Sequence, residues 1–84
     1  MIQTVLKRDG RVVGFNEEKI ATAIRKAMLH TDKGEDLQLI HQITDRISFK
    51  GDSQMTVEAI QDLVEVELMK SSRKDVAQKY IAYR

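Results

Sequence analysis

The chain predicts an α+β fold that is mainly helical, a β-hairpin followed by four amphipathic helices. Three observations carry that expectation. Residues 2–15 place β-branched and aromatic side chains on either side of Asp9-Gly10, a strong hairpin signal because both residues tolerate the backbone angles of a tight turn. After Asn16 the apolar residues recur at helical spacing in four separate runs. No proline interrupts any of them.

Each element has a local justification. Ile2 to Arg8 reads as the first strand and Arg11 to Phe15 as the second, with Asp9-Gly10 as a two-residue turn between them. Asn16 is a good N-cap, and Glu17 and Glu18 follow in the first turn, where negative charge suits the helix dipole. Ile20, Ile24, Ala27 and Met28 then form the inward stripe of a helix that stops near His30. A polar connection, Thr31 to Glu35, leads to a second helix marked by Leu39, Ile40, Ile43 and Ile47, which ends in the turn Phe49-Lys50-Gly51-Asp52-Ser53. Gln54-Met55 is a short strand able to pair with an edge of the hairpin. Thr56 caps a third helix with the stripe Ile60, Leu63, Val64 and Leu68 and an acidic outer face of Glu58, Asp62, Glu65 and Glu67. Ser72-Arg73-Lys74-Asp75 has the spacing of a capping box and opens a fourth helix that turns Val76, Ala77, Tyr80 and Ile81 inward. The amphipathic pattern is still running at Arg84, so residues 1–84 are expected to be one domain cut from a larger protein, and the family resemblance given below implies that it is the N-terminal part.

Composition narrows the function classes. A chain of 84 residues buries only about 60–65% of the surface its unfolded form exposes, so its stability rests on good packing. It has no cysteine and only two isolated histidines, His30 and His41, which read as helix surface and exclude a disulfide or zinc staple. No apolar run is long enough to span a membrane and no signal-peptide pattern opens the chain, which reads as soluble and cytoplasmic. The formal net charge of +1 argues against wholesale nucleic-acid binding. It conceals a layout, however: seven basic against four acidic residues in 1–33, two against eight in 34–69, and five against one in 70–84. No nucleophile elbow, phosphate loop, dinucleotide fingerprint or calcium loop is present, and nothing in the chain reads as catalytic.

The informative cluster is cationic. Lys7, Arg8 and Arg11 flank one turn, and Lys19 stands in a first helical turn, where the dipole disfavours it unless an anion is near. The bland interpretation is that the tip charges blunt an exposed strand edge. The sharper one is an anion site in which cations and open backbone amides meet, with phosphate as the first anion to consider.

Taken together, Val5-Leu6-Lys7-Arg8-Asp9-Gly10-Arg11, Phe15-Asn16, Lys19-Ile20, Ala23-Ile24, the run Val57 to Glu65 and the ending Tyr80-Ile81-Ala82-Tyr83-Arg84 resemble the ATP-cone over essentially the whole chain. That family is a nucleotide-binding regulatory domain of ribonucleotide reductases and of a bacterial repressor of reductase genes. The resemblance implies a four-helix bundle capped by a small three-stranded sheet, with ATP or dATP bound between them as an allosteric effector, accompanied by magnesium. By position it implies phosphate contacts from Lys7, Arg8, Lys19 and Thr56, and an adenine pocket of Val5, Phe15, Asn16 and Ile20. Val13 and Ile60 depart from members that carry an acid and a polar residue there.

The motif Val57-Glu58-x-Ile60-Gln61-Asp62-x-Val64-Glu65 with Tyr80-Ile81-x-Tyr83-Arg84 is most similar to the cones of anaerobic ribonucleoside-triphosphate reductases. The implied partners are the nucleotide, the catalytic domain of the same parent chain and a second cone, with no membrane and no nucleic acid. Two alternatives stand beside this. One is the cone of the transcriptional repressor, whose family places a four-cysteine zinc ribbon ahead of it. The other is a helical interaction module whose basic tip meets an acidic partner.

Overall fold

The computed structural model describes residues 1–84. It is mainly helical, with four helices and one small sheet. In order the elements are β1 (Thr4–Leu6), β2 (Val12–Gly14), α1 (Glu17–Leu29), α2 (Leu37–Lys50), β3 (Gln54–Thr56), α3 (Val57–Lys70) and α4 (Lys74–Tyr83). The sheet runs β2-β1-β3. β1 is antiparallel to β2, with Val5 opposite Val13, and parallel to β3, with Val5 opposite Met55. The expected Gln54-Met55 strand is therefore present, on the hairpin's free edge.

The hairpin is shorter than its sequence suggests and its turn is of another kind. The Lys7 N–H donates to the Arg11 carbonyl at 2.8 Å and the Gly10 N–H to the Lys7 carbonyl at 3.0 Å, which closes a three-residue loop of Arg8, Asp9 and Gly10. Gly10 alone in the loop takes a positive φ, +88°, as the last position of such a loop requires, so the expected two-residue turn is corrected. Asp9 instead accepts from the Arg11 backbone and side chain. At the other end Ile2 donates to the Ser48 carbonyl of α2, and Gln3 and Thr4 donate to that of Ser53 in the α2–β3 connection, while the Phe15 N–H donates to the Gln3 carbonyl and carries the hairpin pairing one step past β2.

α1 packs against α2 and α4, and α3 packs against the same two helices. Their stripes meet in one core built from Ile20, Ile24 and Met28, from Ile40, Ile43 and Ile47, from Val64 and Leu68, and from Val76 and Tyr80, with Ile2 reaching in from the sheet side. Gly51 permits the last contact, because a Cβ there would collide with the Ile2 side chain and the Met55 sulfur.

Three of the four helices begin as expected or by the same means. Asn16 accepts from Glu18 N–H at 3.0 Å, Asp36 from Leu39 at 3.1 Å and Thr56 from Ala59 at 3.1 Å. The fourth does not. α4 starts after Arg73 with no side-chain cap, and the expected Ser72–Asp75 box is not made. Asp75 is taken by the Arg73 guanidinium, which is buried and also donates to Thr31 Oγ1 at 3.1 Å and to the Gly34 carbonyl at 3.0 Å. Arg73 thus ties the α1–α2 connection to the start of α4.

Two helical positions also differ from expectation. Ile81 is 41% exposed and lies outside the α4 stripe. Glu67, expected on the solvated face of α3, is buried. It stands three residues after Val64 on the apolar stripe, and Arg46 Nη1 and Lys50 Nζ of α2 each reach its carboxylate at 2.8 Å. Hydrogen bonds from Lys50 and then Arg46 outweigh its burial and hold its carboxyl below the ordinary range. No helix is long and apolar enough to cross a membrane.

Candidate functional site

The sheet and the helices do not close completely against each other. Between the hairpin, the start of α1, α3 and Tyr80 lies a cavity of about 280 Å³, lined mainly by apolar side chains. Its walls come from local sequence. Val5 and Val13 are cross-strand partners, Phe15 follows β2, and the Asn16 cap turns the chain so that Lys19 and Ile20 enter the same space one helical turn on. Val57, Ile60 and Val64 of α3 form the opposite wall at i, i+3 and i+7. Lys7 lies at one edge of the cavity and Lys19 at another.

The cavity shares Asn16, Lys19, Ala23, Gln61 and Tyr80 with a broader cleft of about 590 Å³ between α1 and the end of α4, where Lys26, Tyr83 and Arg84 also lie. One apolar slot therefore adjoins a wider polar one. Pockets of this character, apolar with a few polar groups at the edge, are the usual form of a small-molecule site. The cap uses only the side-chain oxygen of Asn16, so its amide NH₂ is the end that can donate to a ligand.

Of the eight site residues proposed from the sequence, the structure brings Val5, Lys7, Phe15, Asn16, Lys19 and Ile20 to the apolar cavity. Arg8 and Thr56 do not line it. Arg8 lies in a shallow depression with Lys7, Asp9 and Val57, and its Nε donates to Glu58 on the first turn of α3. The Thr56 hydroxyl accepts the capping bond from Ala59. His30 and His41 are exposed, as expected of helix surface, with the His30 ring 5.7 Å from that of Tyr83.

The sequence reading missed Gln61, Tyr80 and Arg84 as cleft residues. Gln61 directly follows Ile60, an adjacency that marks the border of the α3 stripe. Tyr80 belongs to the core, as its spacing predicts, and also lines the cleft, where burial raises its phenol above the ordinary value and keeps the ring neutral. Arg84 is held by Asp62 at 2.9 Å and Glu65 at 2.6 Å, and these carboxylates raise its already high pKa.

A small sheet set across four helices leaves an apolar slot with cations at its edge, a pocket of the kind small molecules occupy. Comparison with known proteins gives it a family. The model for the ATP cone domain matches residues 3–84, and the chain belongs to that family. It is similar to the vitamin B12-dependent ribonucleoside-diphosphate reductase of Thermoplasma acidophilum, 43% identical over 91 residues that cover 100% of this chain and 12% of the relative. It is 37% identical over 95 residues to ribonucleoside-diphosphate reductase subunit alpha of Chlamydia pneumoniae, covering 96% of this chain and 9% of that one. It is 31% identical over 83 residues to the anaerobic ribonucleoside-triphosphate reductase of Haemophilus influenzae, covering 95% and 12%. The chain thus spans only 9–12% of the length of these relatives.

Proposed function

We propose that this chain is an allosteric ATP- and dATP-binding domain that sets the overall activity of a ribonucleotide reductase. The observation that carries the reading is the pairing of an apolar slot, walled by Val5, Phe15 and Ile20, with Lys7 and Lys19 at its edge. An adenine ring gains from apolar burial and can accept from the Asn16 amide, while ammonium groups neutralise the phosphates that stay outside. In this reading Arg8 at the hairpin tip and Thr56 at the start of α3 meet the far end of the phosphate chain. Magnesium would travel with the triphosphate on phosphate oxygens and water, because the chain holds no cluster of three acidic, histidine or cysteine groups.

In the same reading the four helices act as a bundle capped by the sheet, and residues 1–84 form one domain. The domain is attached in the cytoplasm to the catalytic part of the parent chain and meets a second cone in an assembly. The motif from Val57 to Glu65 favours an anaerobic ribonucleoside-triphosphate reductase as the parent. A glycyl-radical motif in the residues after Arg84 would support that class, and a sequence without one would remove it. Regulation requires ATP and dATP to differ in affinity for two states of the assembly, since equal affinity shifts nothing.

Titration calorimetry with ATP and dATP tests the binding itself. Saturable heat is expected, weakened by Lys7→Ala with Arg8→Ala through the loss of charge-assisted hydrogen bonds of about 1.5–3 kcal/mol each. No heat from either nucleotide at millimolar concentration would overturn the reading.

A further inference from the structure

The two arginines at the hairpin tip are held by different partners. Arg11 is committed to Asp9 on its own turn, with Nε at 2.7 Å from Oδ2. Arg8 instead reaches across to α3, where its Nε donates to Glu58 Oε1. Lys7 and Val57 each line both the apolar cavity and the depression that holds Arg8. The Arg8–Glu58 pair therefore stands at the exit of the slot, one residue beyond its cationic edge. A carboxylate on a guanidinium, beside the first turn of a helix, is a stand-in for a phosphate oxygen in charge and in geometry.

We propose that Glu58 is a specificity-determining residue of the nucleotide site, its carboxylate occupying Arg8 so that the guanidinium passes only to a ligand whose phosphate chain is long enough and charged enough to displace it. The inference rests on the nucleotide reading given above and adds the residue that makes the site count phosphates. A monophosphate held at Lys7 and Lys19 leaves the pair intact. A triphosphate reaches past Lys7 and exchanges the single charge of Glu58 for a terminal phosphate of higher charge. The exchange is cheap, because the Glu58 side chain is about half exposed and is solvated again once released. Arg8 holds the Glu58 carboxyl below its ordinary value, so the competitor is ionised at neutral pH.

Calorimetry at one fixed, low ionic strength tests this with ATP and AMP on the wild type, Glu58→Gln, Asp9→Asn, and Glu58→Gln combined with Arg8→Met. An exposed pair of this kind sets the scale, and Glu58→Gln is expected to tighten ATP about two- to five-fold while leaving AMP unchanged. In the Arg8→Met background the gain should fall to the level of Asp9→Asn, which removes a charge from the same tip without freeing Arg8. The inference is overturned if Glu58→Gln gains no more than Asp9→Asn, if AMP gains as much as ATP, or if the gain persists without Arg8. Absence of binding by every protein, wild type included, is a different result: it removes the nucleotide reading, and this inference with it.

Discussion

The Glu67 network allows a prediction in which the two ends of one ion pair behave differently. The Glu67 side chain is 2% exposed, whereas those of Arg46 and Lys50 are 60% and 41% exposed. Replacing both cations with methionine leaves a carboxylate buried without its partners. Only Lys70 remains near, at 4.0 Å. The loss is expected to be about 3 kcal/mol at pH 7, toward the lower end of the cost of stranding a buried charge. In a domain of this size that lowers Tm by roughly 12–24 °C. Glu67→Gln strands nothing, because the two cations rehydrate where they are, and about 1–2 kcal/mol is expected from the weakened hydrogen bonds. The pH dependence separates the cases further. In the wild type the folded-state pKa of Glu67 is lowered, so its contribution is present above the unfolded value and is lost as pH falls through the folded one. Without Arg46 and Lys50, burial would raise that pKa, and acid would relieve the penalty by neutralising the group. Denaturant unfolding should therefore show the gap between wild type and the double variant narrowing from about pH 7 to about pH 4. A gap that stays constant, or a Glu67→Gln variant less stable than the double variant, would refute the reasoning.

Other positions give simpler expectations. Gly51→Ala should cost about 1–3 kcal/mol in denaturant unfolding, because the added methyl meets Ile2 and Met55 in a filled space. A neutral result would mean that the α2–β3 connection is looser than its packing implies. Arg73→Met removes the buried guanidinium that serves Thr31, Gly34 and Asp75 together, and a loss of about 2–4 kcal/mol is expected by the same measurement. Ile81→Ala, on an exposed face, should change stability by no more than about 0.5 kcal/mol. Lys19→Ala should weaken ATP binding without changing Tm, since Lys19 is exposed at the edge of the cavity; an equal loss of stability would assign it a packing role.

Much of this molecule was legible because its signals are local. The Asn16 and Thr56 caps and the α1 stripe depend on neighbours within one or two turns, and each is where the sequence puts it, as is the strand at Gln54-Met55 although its partner is the distant β1. Outside the hairpin loop, the differences arise where a distant partner decides. Asp-Gly suits both a two-residue turn and the end of a three-residue loop, and the Lys7–Arg11 pairing selects the second. Ser72 and Asp75 have capping-box spacing, but Arg73 claims Asp75 while bridging to Thr31 and Gly34, about forty residues earlier in the chain. Glu67 has the spacing of a core residue and the chemistry of a surface one, and the cations on α2 that reconcile them lie 17 and 21 residues away. The cleft divides in the same way. Its hairpin side follows from the run Val5 to Ile20, whereas Gln61, Tyr80 and Arg84 join it only through helix packing.

The central claim is that nucleotide enters between the hairpin and the helices. Methyl resonances of the chain, followed by NMR during titration with ATP, test its location directly. The expected result is a set of saturable shifts at Val5, Val13, Ile20, Ile60 and Val64, with the distant core methyls of Ile40 and Ile43 little changed. Saturable binding that leaves the first group still, or that moves only the Met1 methyl at the separate α2 surface, would contradict it.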